Sequence, residues 1–308
     1  MDLIRFAEEV GAEDRGPVTI CGGRTREGPV PDVRCVRAPA GIDWVQADEM
    51  VASCGAATPV DDLQAALAEV GQRIVLPPGG TVGGALAHGV DGIRRLGDGP
   101  LRDVLLQARY VSASGQVVRA GGPTVKNVSG FDLCRVLVGS RGTLGFLGDV
   151  IVRTRPIAPT SRWFKVETDD PVPTFACLHR PVSVLWDGSH VWALLEGHPD
   201  DLAEQAASAA LIPIDAPSLP AWFDSAVLTA LRPAQVPELS DVPGSFVAEV
   251  GVGTVHRPPD DPAHPLGSHA DRGSSGPLVT PDGQRAAAEL AARVKRELDP
   301  TGRLNPGR

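Results

Sequence analysis

Three observations predict an α+β fold for this chain of 308 residues. Between Pro77 and Thr154, apolar runs of strand length alternate with glycine pairs, a pattern of strands joined by glycine-containing loops. Arg155–Pro159 is rich in proline and is typical of a linker. Strand-length runs and an alanine-rich helical run then follow, as in a small α+β domain. We therefore expect a first domain over 1–157, a smaller second domain over 158–279, and a helix and tail over 280–308 that pack back on the first domain.

The first domain begins with alternating helices and strands. Met1–Gly16 predicts a short helix with a one-sided apolar face, and Val18–Ile20 predicts a strand. Ala47–Ala56 predicts another strand. Thr58 then has the side chain of an N-cap, followed by proline and acidic residues, and Gly71 ends the predicted helix. The expected core face of this helix consists of Leu63, Ala66, Leu67 and Val70.

The central stretch supplies the remaining strands of the first domain. We expect strands over Asp103–Val111, Gln116–Ala120 and Asp149–Thr154, with Ser114–Gly115 as the turn between the first two. Glycine pairs stand at Gly79–Gly80, Gly83–Gly84 and Gly121–Gly122, and single glycines at Gly139, Gly142 and Gly145.

The second domain and the tail complete the predicted order. Strands are expected at Trp163–Val166, Val182–Trp186 and Val191–Leu195, and a helix at Asp201–Leu211. Residues from Asp260 to Gly276 have loop composition. Thr280 is the expected cap of the last helix. Its predicted apolar face consists of Ala287, Leu290, Ala291, Val294 and Leu298.

Charge and cysteine content exclude several classes of protein. The net charge of −9 disfavours a nucleic-acid surface, which needs concentrated Lys and Arg. The five cysteines form no C-x-x-C pair, so neither a zinc site nor an iron–sulfur cluster is indicated, and we expect reduced thiols in a cytoplasmic protein. The acidic N-terminus does not resemble a signal peptide. No apolar run has the length of a membrane span.

The density of glycine between Pro77 and Thr154 points to a bulky anionic ligand. Glycine lets the backbone approach a ligand closely and leaves its N–H groups free to face a phosphate. The run from Gly79 to Gly84 is not G-x-G-x-x-G, and no G-K-[ST] follows, so the Rossmann and P-loop readings are disfavoured. On glycine spacing alone, the alternative that these residues only make turns stays open.

Four longer segments carry a resemblance to a known family. They are TVGGALA (Thr81–Ala87), GPLRDVLL (Gly99–Leu106), KNVSGFDLCRVLVGSRGTLGFLGDV (Lys126–Val150) and LDPTGRLNPGR (Leu298–Arg308). Together they resemble the FAD-binding domain of the vanillyl-alcohol oxidase, or PCMH, type. The resemblance is greatest to the FAD-binding subunit of bacterial glycolate oxidase.

This resemblance implies a PCMH-type FAD-binding domain of two α+β subdomains, with a small α+β cap domain. It also implies a set of FAD-binding residues: Gly22, Gly23, Arg24, Thr25, Pro77, Thr81, Val82, Gly83, Gly84, Ala87, His88, Asp103, Gly142, Gly145 and Phe146. Arg24 or Arg26 can add a contact to the phosphates. Cys21 and His88 are the residue types to which FAD is sometimes attached in this family. Because neither forms a convincing attachment site, we expect FAD to be bound non-covalently.

The implied activity is that of a flavoprotein subunit of a 2-hydroxyacid dehydrogenase, acting on a compound like glycolate or D-lactate. Expected partners are a catalytic flavoprotein subunit and an iron–sulfur subunit, and contact with the inner face of the membrane would be made only through them. Two alternatives stay open. One is a self-sufficient FAD-dependent oxidase of an alcohol or hydroxyacid. The other is a structural subunit that has lost FAD, which the departure from glycine at Arg24 would support.

The segment SFVAEVGVGTVHR (Ser245–Arg257) resembles the histidine-containing segment with which related catalytic subunits bind a metal ion. Here Glu249 and Val252 stand in place of metal-binding or acidic positions, and only His256 stays in register. One histidine and one glutamate do not make a metal site. We therefore predict a structural strand–turn–strand, no metal, and no assignable catalytic residue.

Overall fold

The computed structural model describes residues 2–26, 28–123, 132–241, 245–260 and 281–308. Two compact units are present. The first consists of Met1–Val90, Pro100–Ile157 and Pro281–Arg308, and the second of Asp91–Gly99 and Ala158–Thr280. The chain segment Asp91–Gly99 thus groups with the second unit, although its sequence position had placed it in the first.

The first unit contains a mixed set of helices and strands. They are α1 (Leu3–Val10), β1 (Val18–Ile20), β2 (Arg34–Val36), β3 (Ile42–Gln46), β4 (Val51–Gly55), α2 (Val60–Ala68), β5 (Gln72–Ile74), α3 (Val82–His88), β6 (Leu105–Val111), β7 (Val117–Gly121), α5 (Leu133–Leu137), β8 (Phe146–Pro156) and α8 (Pro281–Leu298), with α4 (Arg95–Asp98) of the second unit falling between α3 and β6. Strands β1 and β2 pair in parallel. The main sheet has the order β3-β4-β8-β6-β7, and β5 also pairs with β8.

The strand predictions in the central stretch are confirmed, with shifted ends. The β6–β7 hairpin turns at Ser114–Gly115 as expected, with Val111 opposite Val117. Residues Leu101–Asp103 form a short 3-10 helix, so the first strand begins at Leu105 and not at Asp103. The predicted strand from Ala47 begins only at Val51, since the preceding residues form a turn after β3.

Helix α2 departs from its predicted cap and its predicted face. The N-cap is Pro59, not Thr58. The Thr58 hydroxyl is instead engaged with Gly41: it accepts from the Gly41 N–H at 2.9 Å and donates to the Gly41 carbonyl at 3.1 Å. Val70 lies beyond the helix and is 47% exposed, so it is not a core residue.

The segment expected as a glycine loop at Thr81–Ala87 is mostly helical. Thr81 is the N-cap of α3, and its Oγ1 accepts a hydrogen bond from Gly84 N at 3.1 Å. Two glycines in the first turn disfavour a helix by about 1 kcal/mol each relative to alanine. Tertiary contact offsets this cost: Val82 and Leu86 are fully buried, and Gly83 packs so closely on Ala56 that a Cβ there would lie 2.7 Å from the Ala56 Cβ.

Apolar side chains from both faces of the main sheet form the core of the first unit. A large cluster includes Leu63 and Leu67 of α2, Leu86 of α3, and Val150 and Val152 of β8. A second cluster packs α1 against β1 and the tail, and contains Leu3, Phe6, Val10, Val18 and Leu304. The two clusters hold the strand ends and their connecting segments in place.

The terminal helix α8 belongs to the first unit. Val294 and Leu298 pack against the large core cluster, as the helical spacing predicts. Leu290, placed on the same predicted face, is 58% exposed, which corrects that part of the prediction. The expected cap Thr280 and the side chain of Ala287 lie outside the described residues, as does the expected loop beyond residue 260.

The second unit is built on one antiparallel sheet. Its strands are β9 (Thr160–Glu167), β10 (Ser183–Trp186), β11 (His190–Gly197), β12 (Ile212–Ile214), β13 (Val227–Ala230), β14 (Val247–Glu249) and β15 (Thr254–Arg257), in the order β12-β9-β11-β10-β14-β15-β13. Helices α6 (Pro171–Cys177) and α7 (Pro199–Ser208) accompany the sheet. The strand–strand–helix order predicted for this half is confirmed, as is the strand–turn–strand of β14 and β15. Within the described ranges, no helix is long and apolar enough to span a bilayer.

Candidate functional site

A single cavity in the first unit collects most of the predicted site residues. The cavity is a cleft of about 830 Å³, a volume that includes space open to solvent at its mouth. Its walls come from the loop after β1, the end of β4, helix α3, the segment before β8, and the chain terminus. The predicted residues that line it are Gly22, Gly23, Arg24, Thr25, Thr81, Gly83, Gly84, Ala87, His88, Gly142, Gly145 and Phe146.

Three predicted residues lie away from the cavity walls. Val82 is fully buried in the core beneath α3. Pro77 contributes its carbonyl oxygen to Arg26 and not to the cavity lining. Asp103 forms an ion pair with Arg135 at 2.8 Å on the exposed surface, and its role in a cofactor loop stays a prediction.

Close backbone packing joins the two glycine-containing segments of the cavity. A Cβ on Gly23 would lie 2.9 Å from the Gly80 Cα, so a side chain at Gly23 would force the segments apart. The Arg26 guanidinium bridges the same segments by donating to the carbonyls of Pro77 at 3.1 Å and Gly79 at 3.3 Å. Burial lowers the pKa of this guanidinium. Arg26 therefore holds the loop Gly22–Arg26 against the segment Pro77–Gly79.

The electrostatic character of the cavity is positive, although the chain as a whole is acidic. Its described lining includes Arg24, Arg26, Arg141, Arg308 and His88, and no Asp or Glu. A pyrophosphate is stabilised by such a cluster, because charge-assisted hydrogen bonds from arginine are about twice as strong as neutral ones. Glycines and small alanines beside the arginines leave room for a long, flat ligand. The lining therefore fits a dinucleotide such as FAD.

Three of the seven non-glycine residues with positive φ in the described part of the chain line the cavity. Arg24, Arg141 and Asn305 all line it and have φ values of +56°, +53° and +43°. Non-glycine residues in this region cost of order 1–3 kcal/mol each, and they are enriched at ligand sites. At Arg24 the φ lies in the left-handed region that glycine adopts readily.

The prediction of five reduced thiols is wrong for one pair. Cys21 and Cys35 form a disulfide, with their Cα atoms 5.9 Å apart. The parallel register of β1 and β2 brings them together: Thr19 lies opposite Cys35, and Cys21 follows at the end of β1. Cys54 and Cys134 are free and buried, and Cys177 is free and exposed.

Several cavity residues were missed by the sequence reasoning. They are Ile20, Cys21, Arg26, Ala38, Ala56, Ala57, Ser140, Arg141, Leu147, Asn305 and Arg308, of which Arg26 had been considered only as an extra phosphate contact. Asn305 and Arg308 belong to the N-P-G-R tail. The family resemblance includes this tail, but the sequence did not indicate that it reaches a cavity. Lys126, the first residue of the segment Lys126–Val150 that carries the family resemblance, lies outside the described residues.

The second unit contains a separate buried pair of titratable side chains. His256 Nε2 lies 2.9 Å from Glu249 Oε1, and the Phe223 ring stacks on the imidazole with centroids 4.3 Å apart. Glu249 Oε2 and Ser183 Oγ are buried without a hydrogen-bond partner among the described residues. No group of three possible metal ligands occurs in the described part of the chain, so the pair is not part of a recognisable metal centre.

Comparison with known proteins identifies the same region. A family model described as an FAD binding domain matches residues 17–121. The glycolate oxidase subunit GlcE of Escherichia coli is 30% identical over 96% of this chain and 93% of its own length. The D-lactate dehydrogenase of Archaeoglobus fulgidus is 38% identical, but over only 36% of this chain and 26% of its own length.

Among solved structures, alkyldihydroxyacetonephosphate synthase matches with a TM-score of 0.65 over 98% of this chain and 74% of its own. At 13% identity this likeness shows the fold alone. The match to GlcE extends over nearly the full length of both chains, and the FAD binding domain model covers three of the cavity segments. The chain therefore belongs to the family of the glycolate oxidase subunit GlcE, a family of FAD-binding oxidoreductase subunits.

Proposed function

We propose that this chain holds FAD non-covalently in the cavity of its first unit and works as one subunit of a 2-hydroxyacid dehydrogenase complex. The observation that carries the proposal is the cavity itself, in which glycine backbone and four arginines face the same space without an acidic side chain in the described lining. Bound FAD supplies a two-electron acceptor, so oxidation of a 2-hydroxyacid to a 2-oxoacid can deliver electrons to the chain.

The residues of the chain bind and orient the cofactor. We assign the pyrophosphate to the loop Gly22–Arg26 and the start of α3, where backbone is exposed and cationic side chains are near. Arg26 holds the loop by its bonds to Pro77 and Gly79. Gly142, Gly145 and Phe146 form the opposite wall, to which we assign the adenine end. In α3 the N–H groups of Gly83 and Gly84 are already bound, to the Ala56 carbonyl at 2.7 Å and to Thr81 Oγ1 at 3.1 Å, so these glycines give the ligand room for close approach and not hydrogen-bond donors.

The structure favours non-covalent binding over covalent attachment. Cys21, one of two residues that could form a covalent bond to a flavin in this cavity, is engaged in the disulfide with Cys35. His88 lines the cavity at the end of α3 and has interactions with its surroundings. A histidine that interacts with its surroundings in this place needs no covalent role.

We further propose that the electrons leave through partner subunits. The E. coli relative is named as a subunit of glycolate oxidase, which is a description of a larger assembly. In the described part of this chain, no cluster of metal-ligating side chains offers a route for electrons away from the flavin. We expect a catalytic flavoprotein subunit and an iron–sulfur subunit, with any contact to a membrane made by them. Glycolate and D-lactate are the proposed substrate types.

One observation supports a second candidate, a dehydrogenase that is active without partners. Oxidation of a 2-hydroxyacid requires a base for its hydroxyl proton, and a histidine oriented by a carboxylate is a common one. The buried pair of His256 and Glu249 has this arrangement. The orphaned Glu249 Oε2 leaves an acceptor for a further polar group.

Turnover of the isolated chain separates the two candidates. The chain alone and the chain co-expressed with its partner subunits are assayed with glycolate and D-lactate and an artificial electron acceptor. The partner proposal expects turnover only in the complex. Strong turnover by the isolated chain that His256→Ala abolishes, and that the exposed control His198→Ala leaves intact, would establish the second candidate. Strong turnover unaffected by His256→Ala would refute the need for partners and leave the base unassigned.

A further inference from the structure

The segment that follows α8 is anchored in the first unit by four buried residues. After α8 ends at Leu298, Asp299, Arg303, Leu304 and Asn305 are each at most 3% exposed. These residues lie far along the chain from the FAD binding domain of the family model, which ends at residue 121. The tail nevertheless contacts residues inside that domain, among them Thr19, Ile20 and Ala113.

Two anchors hold the tail. The Asp299 carboxylate accepts from the backbone N–H groups of Arg303 at 3.1 Å and Leu304 at 2.9 Å, and Lys295 Nζ binds the same carboxylate at 2.6 Å. The Arg303 guanidinium donates to four carbonyl oxygens at 2.8–3.0 Å, those of Val10, Gly11, Gly16 and Ala113. Burial is the main cause that lowers the pKa of Arg303. These bonds leave the next residue little freedom.

That residue, Asn305, joins two walls of the cavity through its side-chain amide. Its Oδ1 accepts from Thr19 Oγ1 at 2.8 Å and from Ile20 N at 3.2 Å, at the point where β1 leads into the loop Gly22–Arg26. Its Nδ2 donates to the carbonyl of Arg141 at 2.7 Å, on the opposite wall. All polar atoms of the amide are thus used across the cavity, and the side chain itself lines it.

The neighbouring glycine shows how closely the second wall approaches the amide. A Cβ on Gly142 would lie 2.6 Å from Asn305 Nδ2, and the φ of Gly142 is +70°. Only glycine fits both conditions, since side-chain-bearing residues rarely adopt this φ and would collide with the amide. The Gly142 position and the Asn305 amide are complementary in shape.

We propose that Asn305 is a positioning residue that sets the separation of the loop Gly22–Arg26 from the segment Ser140–Phe146, so that FAD affinity depends on the C-terminal tail. The proposal rests on the proposed placement of FAD in this cavity. Because the amide links the backbone of two separate walls, a change in its hydrogen bonding alters the shape of the cavity before any cofactor binds.

The test uses Asn305→Asp as the main variant. The substitution keeps the size of the side chain and the acceptor facing Thr19, but it places a second oxygen against the Arg141 carbonyl, where the two acceptors repel. Asn305→Gly is the second variant, because glycine tolerates the φ of +43° while it deletes the amide. The exposed tail residue Thr301→Ala is the matched control, and Gly84→Val reports on the cavity itself.

The measurement is the dissociation constant of FAD from each full-length apoprotein, followed by flavin fluorescence at a temperature at which circular dichroism shows the protein folded. We expect the dissociation constant of FAD to rise at least about tenfold for both Asn305 variants. This rise corresponds to the loss of about one charged or two neutral hydrogen bonds. The constant should stay unchanged for Thr301→Ala. The melting temperature of each apoprotein is measured alongside. If Asn305 had a purely structural role, its variants would have a lower melting temperature, but the folded protein would bind FAD with an unchanged dissociation constant.

The outcomes distinguish the role of Asn305 from the placement of FAD in the cavity. Suppose that both folded Asn305 variants have dissociation constants within twofold of wild type, while Gly84→Val binds FAD more weakly. This result would overturn the role of Asn305 and leave the placement of FAD standing. An unchanged Gly84→Val would refute the placement and the proposal with it. Failure of both Asn305 variants to fold, with Thr301→Ala folded, would overturn the positioning role, since the amide would then be required by the unit itself.

Discussion

Gly84 offers the sharpest perturbation of the cavity. It lies in the first turn of α3, is exposed to the cavity space, and a Cβ built on it meets the Thr81 Oγ1 at 2.9 Å. The side chain in Gly84→Val therefore points into the space proposed for the FAD pyrophosphate. Overfilling a packed site costs about 1–3 kcal/mol, which corresponds to a rise of about 5- to 150-fold in the dissociation constant of FAD. We expect the purified variant to have lost most of its flavin.

The fold itself should survive the same substitution. Valine has a higher helix propensity than glycine by a few tenths of a kcal/mol, and the displaced Thr81 cap is worth about 1 kcal/mol. These effects oppose each other, so the free energy of unfolding of the apoprotein should change by no more than about 1 kcal/mol. Circular dichroism and thermal unfolding of the apoprotein measure it.

Two further glycine variants complete the comparison. Gly92→Val lies outside the cavity lining, and a Cβ there meets no described atom within 4 Å, so it should keep its flavin. Gly83→Val, which collides with Ala56 in the core, should instead destabilise the unit. Full flavin occupancy in Gly84→Val would refute the reasoning, because it would place the cofactor away from the start of α3.

Three other predictions follow from the cofactor and the cysteines. Acid precipitation of the native protein should release the yellow cofactor into the supernatant, and colour retained in the pellet would show covalent attachment. Replacing both Cys21 and Cys35 by serine should lower the free energy of unfolding by about 3 kcal/mol under oxidising conditions, the value for a loop of about this length. Dithiothreitol should have the same effect on the wild type, and an unchanged melting temperature would count against the disulfide. Burial raises the pKa of Cys134 to about 11 and of Cys54 to about 12 from the ordinary value of 9.0. Both therefore stay protonated at neutral pH, so iodoacetamide should label Cys177 in the native protein and these two only after denaturation. Because folding raises the pKa values of both thiols, their protonated forms contribute to stability fully below about pH 9. This contribution is lost as the pH rises through 11–12. A midpoint of denaturation that does not change over that pH range would contradict the prediction.

The sequence predicted best those features that depend on neighbouring residues. The β6–β7 hairpin is specified locally, by alternating apolar residues on either side of Ser114–Gly115. The cavity glycines at Gly22–Gly23 and Gly83–Gly84 were predicted from the family resemblance, because glycine density in the central stretch indicated a bulky ligand but left the alternative of simple turns open. The strand–turn–strand of β14 and β15 was likewise predicted from the local sequence.

Features that depend on distant contacts were not predictable. Helix α3 forms in spite of its glycines because Gly83 packs on Ala56, a contact that no local pattern reveals. Asn305 reaches Thr19 across 286 positions of sequence. The partner of Cys21 follows only from the parallel register of β1 and β2. The ion pair of Asp103 with Arg135 likewise joins residues 32 positions apart, which no local pattern indicates.

The central claim is that the first unit holds one FAD, and the visible absorption spectrum of the purified full-length chain tests it most directly. The account predicts the two absorption bands of an oxidised flavin at a stoichiometry of one FAD per chain, bleached when a reductant is added and lost in Gly84→Val. A colourless protein that takes up no added FAD would contradict the account and would favour a structural subunit that keeps the fold without the cofactor.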